Sequence, residues 1–175
     1  RVVEMGCGKG MILFKVAAAP CVKEYVGCDL SRLAIKHVER VWKSHVATES
    51  SGVACSLSTH VRDASNFAGL ADKSFDAVVC NGVSMYFPSA SYLVEVLQAG
   101  LPKLDPTRGV YHFGDVISRE HYKSFLLRRA RFFTHGFDEL QNLEVRETLF
   151  NSAKDRCFEQ ELFYALQLAN QLPGV

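Results

Sequence analysis

Val2-Val3-Glu4-Met5-Gly6-Cys7-Gly8-Lys9-Gly10 carries the fold: a short apolar run, an acid inside it, then three alternating glycines. Met11 to Ala19 follows with a helical pattern that Pro20 closes. Strand, glycine turn and helix in that order predict the opening of an α/β unit.

Working outward, the alternation continues. Tyr25 to Cys28 reads as a second strand that stops at Asp29. Ser31 is placed to cap a helix whose apolar positions Leu33, Ile35, Val38, Val41, Trp42 and Val46 are expected on one face. After a Ser50-Ser51-Gly52 loop, Val53 to Val61 predicts a third strand, and Arg62-Asp63-Ala64 leads into a short helix or turn at Phe67 to Ala71. Phe75 to Cys80 is the most apolar strand. Asn81 to Pro88 reads as a loop, and Ser89 to Leu101 as a helix with Leu93, Val96, Leu97 and Leu101 on one side. Thr107-Arg108-Gly109 turns the chain into a fifth strand, Val110 to Phe113, ending at Gly114-Asp115. Then the alternation stops, and Glu120 to Phe133, Leu140 to Phe150 and Phe158 to Asn170 read as helices. The expectation is a Rossmann-like doubly wound sheet, mostly parallel, of strand order 3-2-1-4-5, with C-terminal helices.

Composition sets the limits. With 175 residues, 48% hydrophobic and 22% charged, the chain suits one domain with one core. A net charge of +1 gives no electrostatic reason to expect nucleic acid or a membrane surface as partner. Arg128, Arg129 and Arg131 read as the solvated face of a helix. The six cysteines, at 7, 21, 28, 55, 80 and 157, form no CxxC pair. Free buried thiols in a reducing, cytoplasmic setting explain them better than a disulfide framework or a zinc site, and no metal is expected. Starting at Arg1 in a strand and stopping at Gly174-Val175, residues 1–175 read as an incomplete domain of a larger chain. An exposed edge on the fifth strand would then make the isolated chain poorly soluble.

In an open α/β sheet, ligands bind beyond the carboxyl ends of the strands, near the switch point. The residues to weigh there are Glu4 with Gly6, Cys7, Gly8 and Gly10, then Asp29 with Leu30, Asp63 with Ala64, and Asn81 with Gly82. The glycines allow a sharp turn, close backbone approach and outward amides; plain tight turns look similar. A dinucleotide fingerprint needs its third glycine one residue later, where Met11 stands. Glu4 would also oppose a pyrophosphate but would suit an ammonium group. S-adenosylmethionine carries both an ammonium and a carboxylate. Asp29, 23 residues after Gly6, lies near the roughly 20-residue offset of an acid that holds ribose hydroxyls, or simply caps the helix at Ser31. Asp63 can accept from an adenine amine, with Ala64 offering its amide, or can cap the turn that follows. Asn81 lies where cofactor and acceptor would meet, or forms a turn before Gly82.

VVEMGCGKG, YVGCD, RDASNF and FDAVVCNGV together resemble, in order and spacing, the successive motifs of class I S-adenosylmethionine-dependent methyltransferases. NGVSMYFPSASYLVEVL, GVYHFGDV and the later EQELFYAL are similar to the methyltransferase domains of nonribosomal peptide synthetases. The resemblance implies methyl transfer to the amine of an aminoacyl or peptidyl thioester on a carrier domain, within a chain that has flanking domains. Asp105-Pro106-Thr107-Arg108-Gly109 departs from that family's Pro-Gly-Gly turn.

Transfer from a sulfonium needs positioning more than strong acid–base help. Tyr86, His112 and Asp115 are the candidates to take a proton, Asp115 and Tyr86 ahead of His112. Their alternatives are an aromatic packed under its loop, a satisfied core histidine on a central strand, and a helix cap. Two other functions stay open at this level. One is a freestanding O-, N- or C-methyltransferase; the other is a non-catalytic module that keeps the fold.

Overall fold

A computed structural model of the chain describes residues 1–48 and 55–116. Five strands, β1 (Val2–Met5), β2 (Glu24–Asp29), β3 (Ser56–Val61), β4 (Ala77–Asn81) and β5 (Val110–Gly114), form one sheet in the order β3-β2-β1-β4-β5. Every pairing is parallel, as the alternating pattern predicts. The helices are α1 (Met11–Ala17), α2 (Arg32–Thr48) and α3 (Ala90–Gly100). Two compact units divide the chain: Arg1–Val83 with Val94–Gly114, which holds the sheet, and Ser84–Leu93 with Asp115–Val175. The helices expected at 120–133, 140–150 and 158–170, the three arginines at 128–131 and Cys157 lie outside the described residues. So do positions 53–54, the start of the expected third strand.

All four residues of β1 are buried, because a central parallel strand is covered on both faces. One face sets Val2, Tyr25 and Val79 against Leu13 and Ala17 of α1 and Ile35 and Val38 of α2. The other sets Val3, Met5, Val26, Cys28 and Val78 against Phe67, Phe75 and Leu104. Each fully buried large apolar side chain contributes roughly 1.5–3 kcal/mol. A one-residue slip would exchange the two faces, so the register is strongly specified.

Several local expectations need correction. Helix α1 stops at Ala17, its last carbonyls taken by the amides of Ala18 and Ala19. Leu33 is 80% exposed while Ile35 and Val38 are buried. Residues two apart sit about 200° apart around a helix, so Leu33 and Ile35 cannot share a face. Residues 67–71 take the turn of the two expected alternatives. The fourth strand begins at Ala77; Phe75, placed earlier in that run, makes a single bridge to Leu104. Ser31 caps α2 as expected, its Oγ accepting from the Ala34 amide at 3.3 Å.

Candidate active site

Glu4 is the one charged side chain among the buried described residues, 2% exposed at the middle of β1. Its Oε2 accepts the Tyr25 hydroxyl at 2.7 Å. Register explains the pair: Val2 lies opposite Tyr25 and Glu4 opposite Gly27, so Tyr25 is the diagonal neighbour of Glu4 on one face. Among the described residues Tyr25 is the only hydrogen-bond partner of this carboxylate, and Oε1 has none. Burial pushes the Glu4 pKa up, the Tyr25 hydrogen bond pulls it back, and the Asp29 charge adds to the rise. A buried carboxylate with a spare oxygen suits a cationic partner.

The loop after β1 takes its shape from three glycines at positive φ: Gly6 at 81°, Gly8 at 53° and Gly10 at 84°. Its amides are not all turned outward, as the sequence suggested. Gly6 and Cys7 both donate to the Cys28 carbonyl, at 2.7 and 2.9 Å, and Gly10 donates to the Cys7 carbonyl at 2.9 Å. The Gly8 amide reaches Asp29 Oδ2 at 2.8 Å. That leaves the amides of Lys9, Met11 and Ile12 without a backbone partner among the described residues. A Cβ at Gly8 would meet nothing within 4 Å, so this part of the backbone is open to a ligand.

Asp29, at the end of β2, has both oxygens engaged: Oδ2 by Gly8 and Oδ1 by the Ser31 amide at 2.7 Å. The helix-cap alternative is therefore met by Ser31, while Asp29 ties two loops together and keeps lone pairs on each oxygen. Leu30 beside it is 74% exposed. Asp63 forms a side-chain turn, with Oδ1 accepting the amide and hydroxyl of Ser65 at 3.1 and 2.8 Å. The Arg62 amide donates to the Asp29 carbonyl at 3.0 Å, which holds the ends of β2 and β3 together.

Asn81 ends β4 opposite Gly114 of β5, and Gly82 follows at φ 67°. Asn81 Oδ1 and His112 Nε2 are 3.3 Å apart. A side chain at Gly114 would overlap both. His112 is not the core histidine of a central strand. Among the described residues β5 is at the sheet's edge, and His112 is exposed. Tyr86 and Asp115 belong to the second unit. Tyr86 sits in a 3-10 turn, Ser84–Tyr86, and is 66% exposed, which removes the reading of an aromatic packed under its loop. Asp115 is exposed and holds a positive φ of 55°, an uncommon state for a non-glycine residue.

Burial raises the thiol pKa of Cys7, Cys28 and Cys80, to about 11 at Cys28 and about 12 at Cys80. None is an activated nucleophile. Among the described residues no cluster of His, Cys, Asp or Glu is placed to hold a metal ion, and no helix is long and apolar enough to cross a membrane. Chemically, the arrangement can accommodate a ligand with a cationic end, close to backbone and to a carboxylate at the end of β2. Sequence reasoning missed Tyr25. A tyrosine in a buried parallel strand must find a partner for its hydroxyl, and that requirement was the available signal.

A family model described as a methyltransferase domain matches residues 3–106. Cyclosporin synthetase of Tolypocladium inflatum is 35% identical over 130 residues, 74% of this chain and 1% of that protein. Peramine synthetase of Metarhizium majus is 35% identical over 176 positions, 99% of this chain and 6% of that protein. The chain spans a few per cent of the length of the curated relatives it matches. The solved structure of the plantazolicin methyltransferase BpumL with a triazolic desmethylPZN analog and SAH is similar in fold. Its TM-score is 0.63 at 15% identity, covering 99% of this chain and 55% of that one.

Proposed function

The chain belongs to the family of methyltransferase domains, and from that premise we propose that it moves a methyl group from S-adenosylmethionine to the amine of an aminoacyl or peptidyl thioester held on a carrier domain. In this reading residues 1–175 are the methyltransferase core of a larger peptide synthetase with flanking domains. The observation that carries the cofactor half is the buried Glu4 carboxylate, one oxygen held by Tyr25 and the other without a donor among the described residues, beside an open glycine loop. The acceptor half is supported by relatives named as nonribosomal peptide synthetases, each of which matches 74% of the chain.

The residues present fit the cofactor. Glu4 Oε1 would take its ammonium, and the amides of Lys9, Met11 and Ile12 its carboxylate. Gly6, Cys7, Gly8 and Gly10 let the backbone come close. Asp29 would accept the ribose hydroxyls on its remaining lone pairs, with Leu30 as apolar cover. Asp63 would accept from the adenine amine, with the Ala64 amide beside it. When bound, the cofactor supplies an electrophilic methyl group on a good leaving group. Little covalent chemistry then falls to the protein, whose work is to align the acceptor and exclude water. Asn81 and Gly82, at the end of β4, would line the side where the acceptor enters. An attacking amine has to be neutral, and the Asp115 carboxylate, or Tyr86 as its phenolate, would receive its proton.

The experiment is transfer of a labelled methyl group to a set of soluble aminoacyl thioesters and to the matching free amino acids and phenols, with binding of S-adenosylmethionine measured beside it. Labelled N-methyl product on thioesters is expected. Product only on a free small molecule would replace the carrier reading with that of a freestanding enzyme. Cofactor binding without any transfer would favour a non-catalytic module.

A further inference from the structure

The loop after β3 is held differently from the other strand-end loops of the site. The turn after β1 hangs on the Cys28 carbonyl of β2, and the Gly82 amide after β4 donates to the Gly114 carbonyl of β5 at 3.1 Å. Each leans on a neighbouring strand. Among the described residues β3 has one neighbour, β2, to which its end is tied by the Arg62 amide on the Asp29 carbonyl. Residues 62–70 form neither helix nor strand, so their carbonyls need donors from elsewhere.

Arg62 supplies them. Its half-buried side chain turns back onto the loop that follows, where Nη1 donates to the carbonyls of Asn66 at 3.3 Å and Ala68 at 3.0 Å. The Asn66 amide donates to the Asp63 carbonyl at 3.2 Å, and the Asn66 side chain accepts the Ala68 amide at 3.1 Å. One residue thus grips both ends, its backbone on β2 and its guanidinium on the far side of the loop. Asp63 and Ala64 lie between the two anchors. A guanidinium stays charged and carries its donors in a rigid plane, which suits it to fixing two carbonyls at once.

Adenine presents a donor, its 6-amine, beside an acceptor, N1. A carboxylate and an amide side by side complement that edge. Hypoxanthine reverses both: an oxygen would face the carboxylate, and an N–H would face the amide. Such a reversal rejects a ligand only where the protein groups are held and cannot turn away. Discrimination then depends on what fixes the loop as much as on Asp63.

We propose that Arg62 is a positioning residue for base recognition: by clasping residues 63–68 it holds Asp63 and Ala64 to the 6-amino edge and makes the site select adenosyl over inosyl ligands. This rests on the reading above that Asp63 and Ala64 meet the adenine. Arg62 acts through the loop and not by touching the ligand.

The test is calorimetric binding of S-adenosylhomocysteine and S-inosylhomocysteine to the full chain, native and with Arg62→Met, Asp63→Ala or both. Thermal melts follow the fold. Methionine keeps an unbranched stem and removes every donor. The native chain is expected to favour the adenosyl ligand roughly tenfold or more. Arg62→Met should bring that ratio to about threefold or less, as should Asp63→Ala, and the double variant should go no further than either.

Loss of both ligands by one common factor would make Arg62 a plain structural strut and overturns the proposal. So does an unchanged ratio. Should Arg62→Met not fold, Arg62→Gln, with one shorter donor group for two carbonyls, is expected to lose part of the ratio, and an undiminished ratio there overturns the proposal equally. A ratio that collapses in Asp63→Ala but survives Arg62→Met sinks this proposal and leaves the base reading standing. A ratio that Asp63→Ala does not move, or a native chain that binds both ligands equally or neither, removes the base reading and this proposal with it.

Discussion

The backbone amide of Gly8 and the carboxylate of Asp29 meet at 2.8 Å, so the turn after β1 is fastened to the end of β2 by a side chain that also holds the Ser31 amide. Asp29→Ala removes both anchors together with the proposed ribose acceptor. Hydrogen bonds to a charged group are worth about 1.5–3 kcal/mol. Cofactor affinity should therefore fall roughly tenfold to a hundredfold, and the melting temperature should fall as well. Calorimetry and a thermal melt check both. Undiminished affinity would remove Asp29 from the site.

Gly6→Ala should be severe. At φ 81° an L side chain costs about 1–2 kcal/mol. The new Cβ would also run into the Val83 side chain. Pairing it with Val83→Ala should recover the packing part and leave the backbone part. Denaturant unfolding of the two variants separates these contributions, and full recovery in the double variant would contradict the assignment.

The buried Glu4 gives stability and binding opposite dependences on pH. Its pKa in the folded chain is raised above the unfolded value near 4.5, chiefly by burial. Its contribution to stability is thus fully present below about 4.5 and is lost as pH rises through the raised value. An ammonium ligand needs the ionised form, so cofactor affinity should grow over that same interval. Glu4→Gln should flatten both curves. Tyr25→Phe, by removing the hydrogen bond that lowers the pKa, should move both to higher pH. Melting curves and cofactor titrations across the acid range read the two effects.

Thiol labelling should discriminate sharply among the described cysteines. Cys21 is exposed, whereas Cys7, Cys28, Cys55 and Cys80 are buried and have raised pKa values. At neutral pH in the native state, mass spectrometry should find Cys21 alkylated first and these four only on unfolding. Early labelling of Cys7 would mean that the glycine loop opens.

The apolar runs around Val3, Val26 and Val78 made the central strands readable, because a parallel strand buried on both faces leaves no polar alternation to misread. The candidate residues Glu4, within β1, and Asp29 and Asn81, at the ends of β2 and β4, are legible from the same order of elements. What escaped depended on neighbours across the sheet. Tyr25 became the partner of Glu4 through a register that one strand alone does not state. His112 reads as core only if its strand is covered on both faces, and its place at the edge of the described sheet leaves it open. From the sequence Asp29 suits either a ligand acid or a cap, and its two bonds to loop amides show that a carboxylate in this position can brace the backbone as well. Leu33 departs for a simpler reason: two residues before Ile35, it lies on the opposite side of the helix.

The Cys28 carbonyl, which receives both Gly6 and Cys7, has a kinetic consequence. A loop locked to its neighbouring strand before any ligand arrives has few conformations left to surrender. The entropy of ordering it is spent during folding and is not charged to binding. Association at this turn should then proceed without a slow rearrangement step, as a single phase whose observed rate rises linearly with ligand concentration.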